Sequence, residues 1–284
     1  MKTQTNDKIR QSVRNSYAKI ARGQNASLET LKPASCCGIS EELSPTQNTV
    51  GCGCGGSEPS FKDFSKFMGY SENDMASVPD GANLGLGCGN PLALASLKSG
   101  ETLVDLGSGG GFDCFLAAKK VGETGKVIGV DMTPDMISKA NENVLKTEFK
   151  NVEFRLGEIE HLPVADAVAD IIISNCVINL SPDKLSVYKE AFRVLKPGGR
   201  LSVSDIVATA KLPDEIRQNL TMVSACVGGA ATIDQTRAML KQADFEDICV
   251  TPKDESRTII DEWVPGKSAG EYVVSAYIEA VKPE

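Results

Sequence analysis

The sequence predicts an α/β fold: a mostly parallel sheet of seven strands with helices on both faces. Three observations carry that prediction. Short, β-rich apolar runs alternate with segments of helical spacing along most of the chain, the pattern of a parallel sheet wrapped by crossover helices. One run, Thr102 to Leu106, breaks into Gly107, Ser108, Gly109, Gly110 and Gly111 before the helix-like stretch Phe112 to Val121. Roughly twenty residues further on, Val127-Ile-Gly-Val-Asp131 is a second buried strand that ends in a carboxylate.

Composition limits what such a fold can do. With 284 residues, 41% of them hydrophobic, the chain can bury the core of one large domain plus an attachment. The net charge of −8 and the lack of a basic stripe argue against a nucleic-acid partner and suit a small or neutral substrate. No apolar run reaches about eighteen residues, and Met1 to Lys8 is too polar for a signal peptide, so a cytoplasmic protein with no membrane partner is expected. Nine cysteines stand at 36, 37, 52, 54, 88, 114, 176, 226 and 249, beside a single histidine, His161. An odd count without a secretion signal argues against a disulfide scaffold, and zinc sites favour histidine or C-x-x-C pairs, which are missing here. Thiols without histidines suit a soft, thiophilic ligand.

Taken in order, Asp7 to Ile20 carries Ile9, Val13, Tyr17 and Ile20 at helical spacing and is predicted to dock one face on the main domain. Gly23 to Ser60 turns to Ser, Gly, Pro, Asn and Gln and is predicted to be a long loop. Its four thiols, Cys36, Cys37, Cys52 and Cys54, are exposed enough to serve redox, metal or metalloid handling. Short helices are expected over Phe61 to Gly69 and after Ser71, whose partner Asp74 completes a capping pattern. The turn-rich stretch Gly81 to Pro91 holds Cys88. It ends where Asn90 can cap a helix that starts at Pro91 and runs through Leu97.

Beyond Asp131, Thr133 and Pro134 open a helix with Met136, Ile137, Ala140 and Val144 on one face. Val152 to Leu156 is the third strand and runs into Gly157-Glu158-Ile159; His161 reads as a surface or loop residue. Ala169 to Ser174, the fourth strand, ends in Asn175-Cys176, which points Cys176 to the ligand side of an open sheet. Ser181 and Pro182 should start a helix with Leu185, Tyr188, Phe192 and Leu195 inward, stopped by Lys196-Pro-Gly-Gly199. Arg200 to Val207 is strand five. Pro213 to Cys226 reads as a helical insertion over the site, Ile233 to Ala243 as a helix, Glu246 to Thr251 as strand six and Val273 to Val281 as the last strand. Cys114 and Cys249 are expected to be packing residues. The domain division expected is an N-terminal helical and Cys-rich segment over 1–75, a cofactor-binding α/β part over 76–207, and a lid with the last strands over 208–284.

The glycine turn decides which nucleoside is bound. A dinucleotide fingerprint wants Gly or Ala where this chain has Phe112. The pattern Asp105-x-Gly107-x-Gly109-x-Gly111 instead resembles motif I of class I S-adenosylmethionine-dependent methyltransferases, which have a Rossmann-like fold. The resemblance implies cofactor contacts from Asp105, Gly107, Ser108, Gly109 and Gly111, and from Asp131 and Met132 at the ribose. It further implies contacts from Glu158 and Ile159 at the adenine, and from Asn175.

The cysteine contexts are more specific. Asn83-Leu-Gly-Leu-Gly-Cys88-Gly-Asn-Pro91, Ser174-Asn-Cys176-Val-Ile-Asn-Leu180 and Cys226-Val-Gly-Gly-Ala230, with the motif I stretch through Cys114, resemble the arsenite S-adenosylmethionine methyltransferases over about Asp7 to Ala280. That resemblance implies that Cys88, Cys176 and Cys226 bind trivalent arsenic and that Cys36 or Cys37 joins a redox cycle. It also implies arsenite or methylated trivalent arsenicals as substrates and an external thiol reductant of the glutathione or thioredoxin type; the enzyme is expected to act as a monomer. Two alternatives remain at this level: methylation of a small organic molecule such as a quinone or sterol, and a thiol-based metalloid sensor or sequestering protein.

Overall fold

The protein is described here by a computed structural model covering residues 5–24, 61–263 and 268–284. Most of the expected Cys-rich loop, including Cys36, Cys37, Cys52 and Cys54, lies outside the described residues. Four helices come first: α1 (Asn6–Ala21), α2 (Phe61–Phe67), α3 (Glu72–Ala76) and α4 (Pro91–Leu94). The alternating part follows as β1 (Thr102–Leu106), α5 (Phe112–Val121), β2 (Lys126–Asp131), α6 (Pro134–Val144), β3 (Val152–Leu156), β4 (Ala169–Asn175), α7 (Lys184–Val194) and β5 (Leu195–Ala208). Last come α8 (Asp214–Arg217), α9 (Leu220–Ser224), α10 (Ile233–Gln242), β6 (Glu246–Lys253), α11 (Arg257–Trp263) and β7 (Val273–Val281).

The seven strands form one sheet in the order β3-β2-β1-β4-β5-β7-β6. β1 to β5 pair in parallel, while β7 runs antiparallel to both β5 and β6. Both faces of the central strands are buried, because successive side chains point to opposite faces. Ile172 faces one core layer with α7 and α10, whereas Ile171 and Ile173 face the other with α5. A third cluster gathers Val13 of α1, Met222 and Val223 of α9, Ile260 of α11 and the cysteines 88, 176 and 226. Strand order reverses between β1 and β4, which opens a crevice at their carboxyl ends.

All seven expected strands are present, and four local expectations are corrected. The helix opened by Asn90 stops at Leu94, not Leu97, because the Arg200 guanidinium donates to the Ala95 carbonyl at 2.7 and 2.9 Å. The helix expected from Ser181 begins at Lys184, because the Asp183 carboxylate accepts from the Ser186 N–H at 3.1 Å and caps it there. The stretch Pro213 to Cys226 divides into α8 and α9 because Asn219 accepts from the Thr221 and Met222 N–H groups and starts a new helix. Cys249 is exposed and not a packing residue: β6 is an edge strand with one face open to solvent.

Candidate active site

The glycine turn lies at the carboxyl end of β1 and forms one wall of an open cavity. Gly107 has φ +74, and a Cβ there would lie 2.4 Å from Val177 Cγ2, so only glycine fits this turn. At Gly109 no heavy atom lies within 4 Å of where a Cβ would project, which leaves the backbone approachable by a ligand. The Gly109 and Thr133 N–H groups donate to the Asp131 carboxylate at 3.0 and 2.8 Å and aim it at the crevice. Burial raises the Asp131 pKa in spite of these two donors. The Ser108 hydroxyl is buried in this wall without a hydrogen-bond partner among the described residues. An approachable turn, an orphaned hydroxyl and a carboxylate at ribose height fit a nucleoside cofactor.

A second group of polar residues closes the β1–β4 side. Tyr70 Oη donates to Asp113 Oδ1 at 2.6 Å, and Asn175 Nδ2 donates to Asp113 Oδ2 at 3.2 Å and to the Gly89 carbonyl at 2.9 Å. Burial pushes Asp113 up to about 6, working against those two donors. Asp105 beside it is raised by burial and by the charge of Asp113, and the Cys114 thiol donates to it at 3.2 Å. This end of the cavity therefore holds two carboxyl groups that burial keeps hard to ionise, and a cationic ligand group placed there would favour their charged form.

The three candidate thiols come from segments far apart in sequence and meet behind the same cavity. Cys88 precedes α4, with its N–H donating to Asn175 Oδ1 at 3.0 Å and its carbonyl accepting from Ser275 Oγ at 2.7 Å. Cys176 follows β4, its N–H donating to the Ser204 carbonyl at 2.8 Å. Cys226 follows α9, and its thiol donates to the Cys176 carbonyl at 2.8 Å. Exposures of 6%, 3% and 3% put all three out of solvent. Cys176 also lines the cofactor cavity, so it joins the thiol cluster to the crevice. Its pKa is raised by hydrogen bonds with Cys226 and Cys88 and then by burial. For Cys226 the bond with Cys176 pulls the pKa down, but burial together with the charges of Asp205 and Cys88 makes the net shift upward. Cys176 and Cys226 both adopt left-handed backbone, φ +60 and +63, which costs a non-glycine residue energy and turns each thiol inward.

Helix α1 roofs the cluster. The Tyr17 hydroxyl lies against Cys226, and its pKa is driven up by burial and by both neighbouring thiols. Arg10 reaches Glu160 at 3.0 Å and Glu158 at 3.4 Å, while Arg14 reaches Glu158 at 3.3 Å.

Of the cofactor residues expected from sequence, Asp105, Gly107, Ser108, Gly109, Asp131, Met132, Ile159 and Asn175 line the cavity. Gly111 sits beneath it against Phe154 and Phe115, and Glu158 is drawn away to α1, leaving Glu160 on the lining. His161 is exposed. Sequence reasoning missed Tyr70, Asp113 and Asp205, and read Tyr17 only as a docking residue. The one available signal was an acid inside a strand, Asp205 within β5.

A Rossmann-like sheet with this glycine turn, its facing carboxylate and a cavity lined by buried acids is the architecture of a methyltransferase. In keeping with that class, the family described as methyltransferase domain matches residues 97–244. The arsenite methyltransferase of Halobacterium salinarum is 51% identical over 98% of this chain and 67% of its own length. That of Aquipseudomonas alcaligenes is 37% identical over 84% of this chain and 62% of its own. The crystal structure of an arsenic(III) S-adenosylmethionine methyltransferase from Chlamydomonas reinhardtii superposes with a TM-score of 0.55 at 28% identity, covering 80% of this chain and 75% of that one. This chain belongs to the arsenite methyltransferase family. It spans about two thirds of the length of the two relatives matched by sequence.

Proposed function

We propose that the protein transfers methyl groups from S-adenosylmethionine to trivalent arsenic held by the thiols of Cys88, Cys176 and Cys226. The observation that carries this reading is the meeting of three buried cysteines from separate segments in one cluster, with Cys176 on the wall of the cofactor cavity. S-adenosylmethionine, when bound, supplies an electrophilic methyl group on a sulfonium. Asp131 would hold the ribose diol, Ile159 would flank the adenine, and Asp105 and Asp113 would balance the cofactor's positive charge.

The thiols do the rest. Their raised pKa values keep Cys176 and Cys226 protonated at rest, and that suits arsenite. Each thiol proton leaves with one arsenic hydroxyl group as water, so As(OH)3 and three thiols give a neutral tris-thiolate and three waters without a base. Sulfur donation enriches the arsenic lone pair, and the shared wall at Cys176 directs it to the cavity, where alignment supplies most of the rate. Methylation takes arsenic formally from the trivalent to the pentavalent state. Two electrons return it, supplied by two thiols that close to a disulfide; we assign these to Cys36 or Cys37 together with one ligand cysteine. A glutathione- or thioredoxin-type thiol then reduces that disulfide.

An organic acceptor would have no use for three converging buried thiols, and a sensor would have no use for the cofactor cradle. The test is transfer of label from S-adenosylmethionine to arsenite with a thiol reductant, with products separated by chromatography. Cys176→Ser should lower the rate on the order of 100-fold while cofactor affinity stays nearly constant. Undiminished transfer in that variant would remove the thiol site from the mechanism.

A further inference from the structure

One buried acid beside the thiols has no role in the chemistry above. Asp205 of β5 is 2% exposed, and its carboxylate accepts from Asn179 Nδ2 at 2.9 Å and from the Ile206 N–H at 2.7 Å. These donors fix its orientation, as outer partners do for carboxylates that ligate metals. A carboxylate oxygen of Asp205 and the sulfurs of Cys88 and Cys176 all lie within 4.8 Å of one another, and Cys226 packs against Cys176. Trivalent arsenic has three bonds and a lone pair, so a tris-thiolate leaves the carboxylate unused. A closed-shell divalent cation has no such lone pair and prefers four donors in a tetrahedron.

We propose that Cys88, Cys176 and Asp205, whose donor atoms already converge, together with Cys226, whose thiol leaves the Cys176 carbonyl to join them, form a second-use site, a tetrahedral S3O pocket for a thiophilic divalent cation of the Zn2+ or Cd2+ type that excludes arsenic from the enzyme. Binding releases one proton per thiol to solvent and leaves an anionic centre, which the nearby Lys184 ammonium offsets through its attraction to Asp205 and Cys226. The fourth donor is what separates the two ligands. Competition with arsenite rests on the arsenic reading given above; the cation site itself does not.

The experiment uses the full chain with Cys36, Cys37, Cys52 and Cys54 changed to Ser, so that only the remaining thiols report. Cd2+ alone is titrated anaerobically and followed by thiolate-to-cadmium charge-transfer absorption, then back-titrated with arsenite. One tight equivalent is expected, and X-ray absorption of the loaded protein should give a mixed sulfur and oxygen shell. Asp205→Asn should lower the ratio of Cd2+ affinity to arsenite affinity by about tenfold or more. Asp205→Glu, which keeps a carboxylate, should restore part of it. An unchanged ratio in Asp205→Asn, or an all-sulfur shell in the four-serine chain that keeps Asp205, would overturn the proposal. Because the shell is read with Asp205 in place, the outcome does not depend on either Asp205 variant folding. Cd2+ and arsenite bound at the same time, neither weakening the other, would count against the arsenic reading and leave the cation site standing.

Discussion

The Cys226 thiol donates a 2.8 Å hydrogen bond to the backbone carbonyl of Cys176, and both residues stand in left-handed backbone. Fifty residues of chain separate them. Two buried cysteines in left-handed backbone are thus joined by this bond, and their thiols also lie against one another.

Backbone strain at Cys226 gives a stability test. In ordinary helical or extended backbone Ala is preferred to Gly, but at φ +63 the preference reverses. Cys226→Gly should therefore be more stable than Cys226→Ala by about 1 kcal/mol in denaturant unfolding. Both should lose arsenite methylation. A more stable alanine variant would mean that the residue leaves the left-handed region.

The roof over the thiols depends on a largely buried ion pair. Arg10 is 18% exposed and Glu160 is 4% exposed, and Ser181 also donates to Glu160 at 2.7 Å. Arg10→Ala leaves that carboxylate buried with one partner fewer and should weaken the docking of α1 by about 2 kcal/mol. The readout is alkylation of Cys176 and Cys226 by a small thiol reagent, which should speed up by more than tenfold at low salt. Unchanged alkylation would show that α1 does not guard the thiols.

Asp113 sets a pH dependence whose sign is fixed by burial. Its folded pKa, about 6, lies above the ordinary 3.8, with Asp105 and Lys120 the nearby charges and Tyr70 and Asn175 its donors. The stabilisation from binding that proton is complete below about pH 4 and is lost as pH rises through about 6, on the order of 3 kcal/mol in all. Asp113→Asn removes the titration, so the stability difference between variant and parent should change over pH 4 to 7 in the variant's favour. Denaturant midpoints measured across that range check it. A constant difference would show that Asp113 titrates normally.

Much of this molecule is legible before folding. Alternation of apolar runs with helical spacing yields all seven strands, because a sheet buried on both faces requires continuous apolar strands. The glycine turn and Asp131 are equally local: their roles follow from a strand, a turn and a distance along the chain. The helix boundaries moved for two reasons. Arg200, remote in sequence, captures the end of α4, while the local caps Asp183 and Asn219 start α7 and α9.

The sequence by itself determined the sheet, the cofactor cradle and the chemical kind of the site, since thiols without histidines select soft ligands whatever the fold. Only the tertiary structure decided which thiols meet. Cys88, Cys176 and Cys226 are brought together while Cys114 is turned into the sheet against Asp105 and Cys249 out to solvent. It also decided that Asp205 faces the cluster and that Tyr17 covers it. The physical reason is that a strand's periodicity specifies which face a residue takes but not what arrives opposite it. Here that depends on β4, β5, the end of α9 and α1 converging at the carboxyl edge of one sheet.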